Sequence, residues 1–255
     1  MKTQFNLFFI TEEDSFYIYL FFERFFEKFD LDRVKIKGIA ILNPFNKKST
    51  WGLAKQMYCF FGPVDFVRMG FRYLGKRLSR KSVRNLARKF AVPIIDVRNV
   101  NDPDFLDKLR NMNLDLIISV AAPQKFKKEL LELPSWDCIN IHSGKLPKYR
   151  GMMPSFWTLF DNEKYGAVTI HRMNEALDDG EIILQREVEV ASNETLDSYI
   201  RKTKLLGAEM MIEVIKQIRD GEVELKLNDR NQSTYFSFPK LEEVKEFKRR
   251  GRKLL

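Results

Sequence analysis

The chain has 255 residues, 44% of them hydrophobic and 31% charged, with a formal net charge of +9. That size and balance describe a folded chain with an ample core and exclude a disordered tail or a small disulfide-stapled scaffold. The first apolar run is cut off at once by Thr11, Glu12, Glu13 and Asp14, too early for a secretory signal, and no run reaches the roughly 18 apolar residues of a membrane span.

Cys59 and Cys138 match no metal or redox spacing, which predicts reduced, buried thiols in a cytoplasmic protein. Residues 5–10 read as a strand, TEED after them as a helix-start signal, and FYIYLFFERFFEKF as the helix. Residues 34–42 read as a second strand ending at Asn43-Pro44. No glycine-rich phosphate loop follows the first strand, which disfavours a dinucleotide or P-loop site. Residues 47–90 mix aromatic with regularly placed basic residues and break at Gly62-Pro63. They read as two or three amphipathic helices, an insertion packed on the core that leaves contact with a lipid-linked substrate or a membrane surface open.

Alternation then resumes, with strand 92–97, helix 102–112, strand 114–120, helix 123–133 and strand 136–142. Strands separated by such helices imply a doubly wound, mostly parallel, Rossmann-like α/β sheet with ligands at the carboxyl ends of its strands. Residues 165–173 and 181–190 read as strands joined by the turn 174–180, and a long helix follows over 193–220 with Gly221 as its stop. A strand candidate at 223–227, the segment STYFSFPK and a charged helix complete the chain. The expected organisation is one domain over 1–220, with a short C-terminal appendage over 221–255.

Both histidines of the chain, His142 and His171, fall within residues 140–178, together with Asn140 and Asp178. Asn140 and His142 are two apart, so on a strand they share a face, pairing an amide donor with a group that handles protons. Asp178 lies in a tight turn from which a carboxylate can orient an imidazole. Ser143 follows His142, but no second histidine–acid pair stands ready to activate it, and no HExxH or paired-cysteine spacing supports a metal. His171 reads either as a residue lining the site or as a packing residue on its strand. Lys145, Lys148 and Arg150 make the loop after His142 positive.

NIHSGKLPKYRG, then PSFW, then GAVTIHRMNEALDDGEII resembles the signature region of the folate-dependent formyltransferases, a family that includes methionyl-tRNA, glycinamide ribonucleotide and sugar N-formyltransferases. The resemblance implies the formyltransferase fold and transfer of a formyl group from 10-formyltetrahydrofolate to an amine. It makes Asn140, His142 and Asp178 catalytic: Asn140 stabilises the oxyanion, His142 assists, and Asp178 tunes His142 and takes the ammonium proton. It places folate against Ala121, Ala122, Pro123, Asn174, Glu175, Ala176 and Leu177, and the acceptor near Ser143, Lys145, Lys148, Tyr149, Arg150 and His171.

The 35 residues after Asp220 are too few for the tRNA-gripping barrel of methionyl-tRNA formyltransferase, and the phosphate loop of the glycinamide enzyme is absent. The Ser-Leu-Leu-Pro loop of both enzymes stands here as Ser143-Gly144-Lys145-Leu146-Pro147. The expected acceptor is therefore a small anionic amine, an amino sugar or nucleotide-linked amino sugar, with no stable nucleic-acid partner and with a homodimer left open. Activity toward methionyl-tRNA or glycinamide ribonucleotide, formyl-tetrahydrofolate hydrolysis, and non-catalytic folate or nucleic-acid binding remain as alternatives.

Overall fold

A computed structural model describes residues 4–14, 16–42, 50–79 and 81–255. The predicted strand end at Asn43-Pro44 and the start of the insertion at 47–49 lie outside the described residues. Consecutive apolar residues in the first half of the chain form the buried centre of a seven-stranded sheet. β1 (Phe5–Glu12), β2 (Val34–Leu42), β3 (Ile94–Ile95), β4 (Leu116–Val120) and β5 (Asp137–His142) are parallel. A two-residue β6 (Arg150–Gly151) lies outside this sheet, and β7 (Tyr165–Arg172) and β8 (Ile182–Glu189) complete it as antiparallel strands. The order β3-β2-β1-β4-β5-β7-β8 reverses direction between β1 and β4. In doubly wound sheets that reversal opens a crevice at the carboxyl ends of the strands.

β1 shows why the sheet needs cover on both faces. Leu7 and Phe9 enter one core with α1 (Ile18–Lys28), while Phe8 and Ile10 enter another with Phe105, Leu106 and Leu109. Side chains alternate along a strand, so an unbroken apolar run demands two apolar layers. α2 (Thr50–Leu78) is broken at Gly62, whose φ of 76° and ψ of 172° precede Pro63, as the sequence predicts. α3 (Val83–Lys89), α4 (Pro103–Arg110), α5 (Lys128–Leu131), α6 (Pro154–Phe160), α7 (Leu196–Asp220) and α8 (Leu241–Arg249) follow, and β9 (Tyr235–Phe236) pairs in parallel with β6. The predicted turn residue Gly221 ends α7 in the left-handed conformation, at φ 75°.

Three expected elements shrink. The strand at 92–97 is only Ile94–Ile95, at the sheet edge. The helix at 123–133 reduces to α5, because Gln124 and Asn101 side chains hold the preceding turn: Gln124 bonds Val100 and Arg98, and Asn101 bonds Lys125 and Lys127. Residues 223–227 contribute a single bridge, Lys226 to Ile182, rather than a strand. Cys138 is buried, whereas Cys59 is exposed on α2, against the expectation of two buried thiols.

Residues after Gly221 return to the body. Val244, Phe247 and Leu254 are buried in the same core as Leu7 and Phe9, and Phe247 stacks on Phe156 with ring centroids 4.7 Å apart. Packing is continuous across the expected boundary at 220.

Candidate active site

Register brings the key residues together before any loop is considered. Asn140 on β5 faces His171 on β7 across an antiparallel pair, and its Nδ2 lies 3.3 Å from His171 Nε2. His142, two residues along, places Nδ1 3.6 Å from Asp178 Oδ1, and His171 Nε2 lies 3.6 Å from the same oxygen. The other carboxylate oxygen, Oδ2, accepts the Gly151 N–H at 2.8 Å.

Carbonyl partners assign the tautomers. His142 Nε2–H donates to Tyr149 O at 2.7 Å, and His171 Nδ1–H donates to Arg172 O at 2.7 Å. In the neutral rings, His142 Nδ1 and His171 Nε2 are then unprotonated and face a carboxylate oxygen, with His171 Nε2 also accepting from Asn140 Nδ2. Acceptors converging in a buried space bind a proton or an N–H donor. Burial pushes the His142 imidazole down, against the pull of Asp178 and of the Tyr149 carbonyl. Burial alone would raise the Asp178 carboxyl, but the charge of a protonated His142, contact with His171 and the Gly151 N–H outweigh it and hold it well below the usual carboxylate range.

Strained backbone surrounds these groups. Ala121, Tyr149, Met153 and Asp178 all have positive φ, between 52° and 60° for the first three and 51° for Asp178. Non-glycine residues keep such angles only where the surrounding structure fixes them. Asp178 is fixed from three sides: Arg150 Nε and Asn228 Nδ2 each donate to its carbonyl at 3.0 Å, and the next residue, Asp179, is gripped by Arg150 and Arg230. Gly144 fits only as glycine, since a Cβ there would lie 2.7 Å from His142 Nε2 and 2.9 Å from Pro154 Cβ. Thr169 Oγ1 donates to the Gly144 carbonyl at 2.7 Å and holds the loop against β7.

The remaining predicted residues divide. The Tyr149 ring stacks on Phe236 and its hydroxyl meets Asp161 and Glu163, so its carbonyl rather than its side chain serves His142. Arg150 is committed to Asp178 and Asp179, and Lys145 pairs with Glu187 at 2.6 Å. Lys148 is exposed. Ser143 Oγ lies 3.5 Å from Lys204 Nζ. Ala121 and Ala122 continue directly from Val120, which pairs with Ile141 between Asn140 and His142, and Pro123 follows them. Asn174, Glu175, Ala176 and Leu177 form an exposed turn running into Asp178. A crevice of about 840 Å³ adjoins that turn, lined by Leu131, Trp136, Met173, Ala176, Lys128 and Arg172 among others.

At the carboxyl end of β1, Glu13 accepts the N–H groups of Val83 and Arg84 and so covers the start of α3, while Asp14 accepts those of Phe16 and Tyr17. The Glu12 carboxylate has no hydrogen-bond or ion-pair partner among the described residues. Burial and the neighbouring Asp14 push it up to about 7, while Lys204 draws it down. Lys204, pushed down by burial, stands between these carboxylates and Ser143. Glu12, Lys204, Asn228 and Arg230 are absent from the sequence expectation. Each acts across a long sequence separation, and no local motif marks it.

A family model described as formyl transferase matches residues 73–215, which contain Asn140, His142, His171, Asp178 and Lys204. The chain belongs to the formyl transferase family. Methionyl-tRNA formyltransferase of Kosmotoga olearia is 35% identical over 161 residues, 63% of this chain and 52% of that protein. The chain thus spans about half the length of the curated relatives it matches. A sugar N-formyltransferase from Shewanella sp FDAARGOS_354 superposes with TM-score 0.59 at 18% identity, covering 92% of this chain and 77% of that one, a likeness of fold. The formyltransferase PseJ from Anoxybacillus kamchatkensis, solved with UDP-4,6-dideoxy-4-formamido-L-AltNAc and tetrahydrofolate, is 25% identical with TM-score 0.50, covering 61% and 80%. The expected family and doubly wound fold are thereby shown.

Proposed function

We propose that this formyl transferase family member moves a formyl group from 10-formyltetrahydrofolate to the primary amine of an amino sugar or nucleotide-linked amino sugar. The observation that carries the reading is the convergence of His142 Nδ1 and His171 Nε2 on Asp178 Oδ1, beside the amide of Asn140. The folate donor, when bound, supplies an electrophilic formyl carbon. The crevice beside 174–177 has an apolar wall in Leu131, Trp136 and Met173 that suits the ring system of such a donor, while its cations Lys128 and Arg172 are paired with Glu132 and with Asp137 and Glu181.

Within the site, Asn140 Nδ2–H stabilises an oxygen that gains negative charge as the amine adds. Asp178 Oδ1 accepts the proton that the attacking nitrogen must lose, His142 and His171 share it through their unprotonated nitrogens, and it passes to the tetrahydrofolate nitrogen as the bond from that nitrogen to the formyl carbon breaks. His142 stays oriented by the Tyr149 carbonyl, and Asp178 by the Gly151 N–H, so neither group reorganises as charge develops.

For the acceptor, the sugar nucleotide and tetrahydrofolate seen together with PseJ support the reading. So does the polar wall of Ser143, Lys204 and Glu12, which suits a hydroxyl-bearing ligand. The 35% identity to methionyl-tRNA formyltransferases favours a second reading, with the amine carried on aminoacylated tRNA. Incubation with 10-formyltetrahydrofolate and a panel of amino sugars, nucleotide-linked amino sugars and methionyl-tRNA, followed by tetrahydrofolate release, separates them. Turnover with an amino sugar is expected, with a loss of about 10²–10⁴-fold in Asp178→Asn. Turnover only with methionyl-tRNA moves the acceptor to the second reading, and formate release with no acceptor identifies a hydrolase. An Asp178→Asn rate near wild type would sink the mechanism.

A further inference from the structure

α2 exposes more apolar surface than the fold explains. Val64, Val67, Phe71, Leu74 and Leu78 recur at spacings of three and four residues, so one stripe of the helix after Gly62 is apolar. All five are exposed, Phe71 at 71% and Leu78 at 85%. Before the break, Trp51, 86% exposed, and Tyr58 add aromatic surface. The opposite side is anchored. Phe60 packs on Phe156 and Phe238, Lys248 Nζ donates to the Phe61 carbonyl at 2.7 Å, and Arg72 meets Asp197 at 2.9 Å. Those contacts fix the helix with its apolar stripe outward.

Charge is concentrated in the same stretch of sequence, where Arg68, Arg72 and Arg84 pair with Asp65, Asp197 and Asp96, and among the described residues its other basic side chains form no ion pair. Residues 50–90 carry ten Lys and Arg against the single Asp65, a surplus of nine that equals the net charge of the whole chain, so the rest of the protein is electrically balanced. Burial, reinforced by Lys81, Arg201 and Arg72, pushes the Lys76 ammonium down, as expected in a field of like charges.

We infer that α2 seats this protein on the surface of an anionic lipid bilayer, with the Val64–Leu78 stripe at the acyl boundary and the surrounding Lys and Arg among the headgroups. A second copy docked stripe to stripe would bring two strongly cationic surfaces together. Nucleic acid would engage the cations but leave Val64, Val67, Leu74 and Leu78 without a role, because bases stack on aromatic rings. Among the described residues no helix is long and apolar enough to cross a membrane, so the association is interfacial. The inference does not depend on the identity of the acceptor.

The test is sedimentation of the full chain with vesicles of phosphatidylglycerol and phosphatidylcholine, and with phosphatidylcholine alone. The expected result is at least tenfold preference for the anionic vesicles, weakened by salt, with a blue shift of Trp51 emission. The double variant Phe71→Glu, Leu78→Glu, with both sites exposed and its fold checked by circular dichroism, should lose at least tenfold of that binding. Equal sedimentation with and without vesicles overturns the inference, as does vesicle binding that the double variant retains. A wild type that dimerises without binding vesicles, while the variant is monomeric, assigns the stripe to a second copy. Tighter binding to tRNA than to vesicles, unchanged in the variant, assigns the charge to nucleic acid.

Discussion

Glu12 makes the stability of the protein depend on pH in a direction opposite to that of most carboxylates. Burial, with Asp14 adding to it and Lys204 opposing it, pushes its carboxyl from 4.5 to about 7. Below pH 4.5 the group is protonated in both the folded and unfolded chain and adds no pH dependence. Between 4.5 and 7 the unfolded chain releases its proton first, so stability falls as pH rises; above 7 the full penalty is in place. A rise of this size corresponds to ~3 kcal/mol, and solvent reaching the partly buried carboxyl trims it to about 1–3 kcal/mol. Glu12→Gln removes the ionising group and keeps the shape. Urea unfolding at pH 4.5 and pH 8, followed by circular dichroism, should show the variant gaining about 1–3 kcal/mol on wild type at pH 8 relative to its difference at pH 4.5. Lys204→Met should steepen the loss in the Glu12 parent, because the cation that draws the carboxyl down is gone. A wild-type-to-Gln difference that is the same at both pH values would refute the reasoning.

Other consequences follow from the packing around the site. Gly144→Ala should lower kcat by roughly 10²-fold with little change in KM, because the added Cβ must displace the His142 ring from the Tyr149 carbonyl; unchanged kcat would show that the ring position is not critical. Asp179→Ala strips a buried carboxylate from Arg150 and Arg230 and should destabilise by about 3–5 kcal/mol in chemical denaturation, weakening the brace on Asp178 as it does so. Phe247→Ala should cost about 3–5 kcal/mol by the same measurement, since the ring is fully buried against Phe156; a loss below about 1 kcal/mol would make residues 221–255 a separable appendage.

The parts of this molecule that can be read from sequence are those whose determinants are local. β1, β2, β5 and α7 follow from apolar periodicity and from Gly221, and the pairing of Asn140 with His142 on one face follows from strand geometry alone. His171 shows the limit. Its own neighbours describe an ordinary strand, and only the antiparallel register of β7 on β5, opposite Asn140, turns it toward Asp178. Helix 123–133 fails for a related reason: its propensity is adequate, but Asn101 occupies the Lys125 carbonyl and the Lys127 N–H, and the Gln124 side chain ties the segment to Arg98 and Val100. Arg150 shows a different dependence on tertiary structure. A basic residue in the loop after His142 invites a reading as a ligand contact, and in the fold its charge pairs with Asp179, with Arg230 joining from the far end of the chain. The C-terminal segment therefore positions Asp178: β9 pairs with β6, Asn228 holds the Asp178 carbonyl, and Gly151 between them presents its N–H to Asp178 Oδ2. A residue kept at φ 51° by partners drawn from residues 150–151 and 228–230 is set by tertiary structure, and that is why Asp178 stands out in the sequence while its support does not.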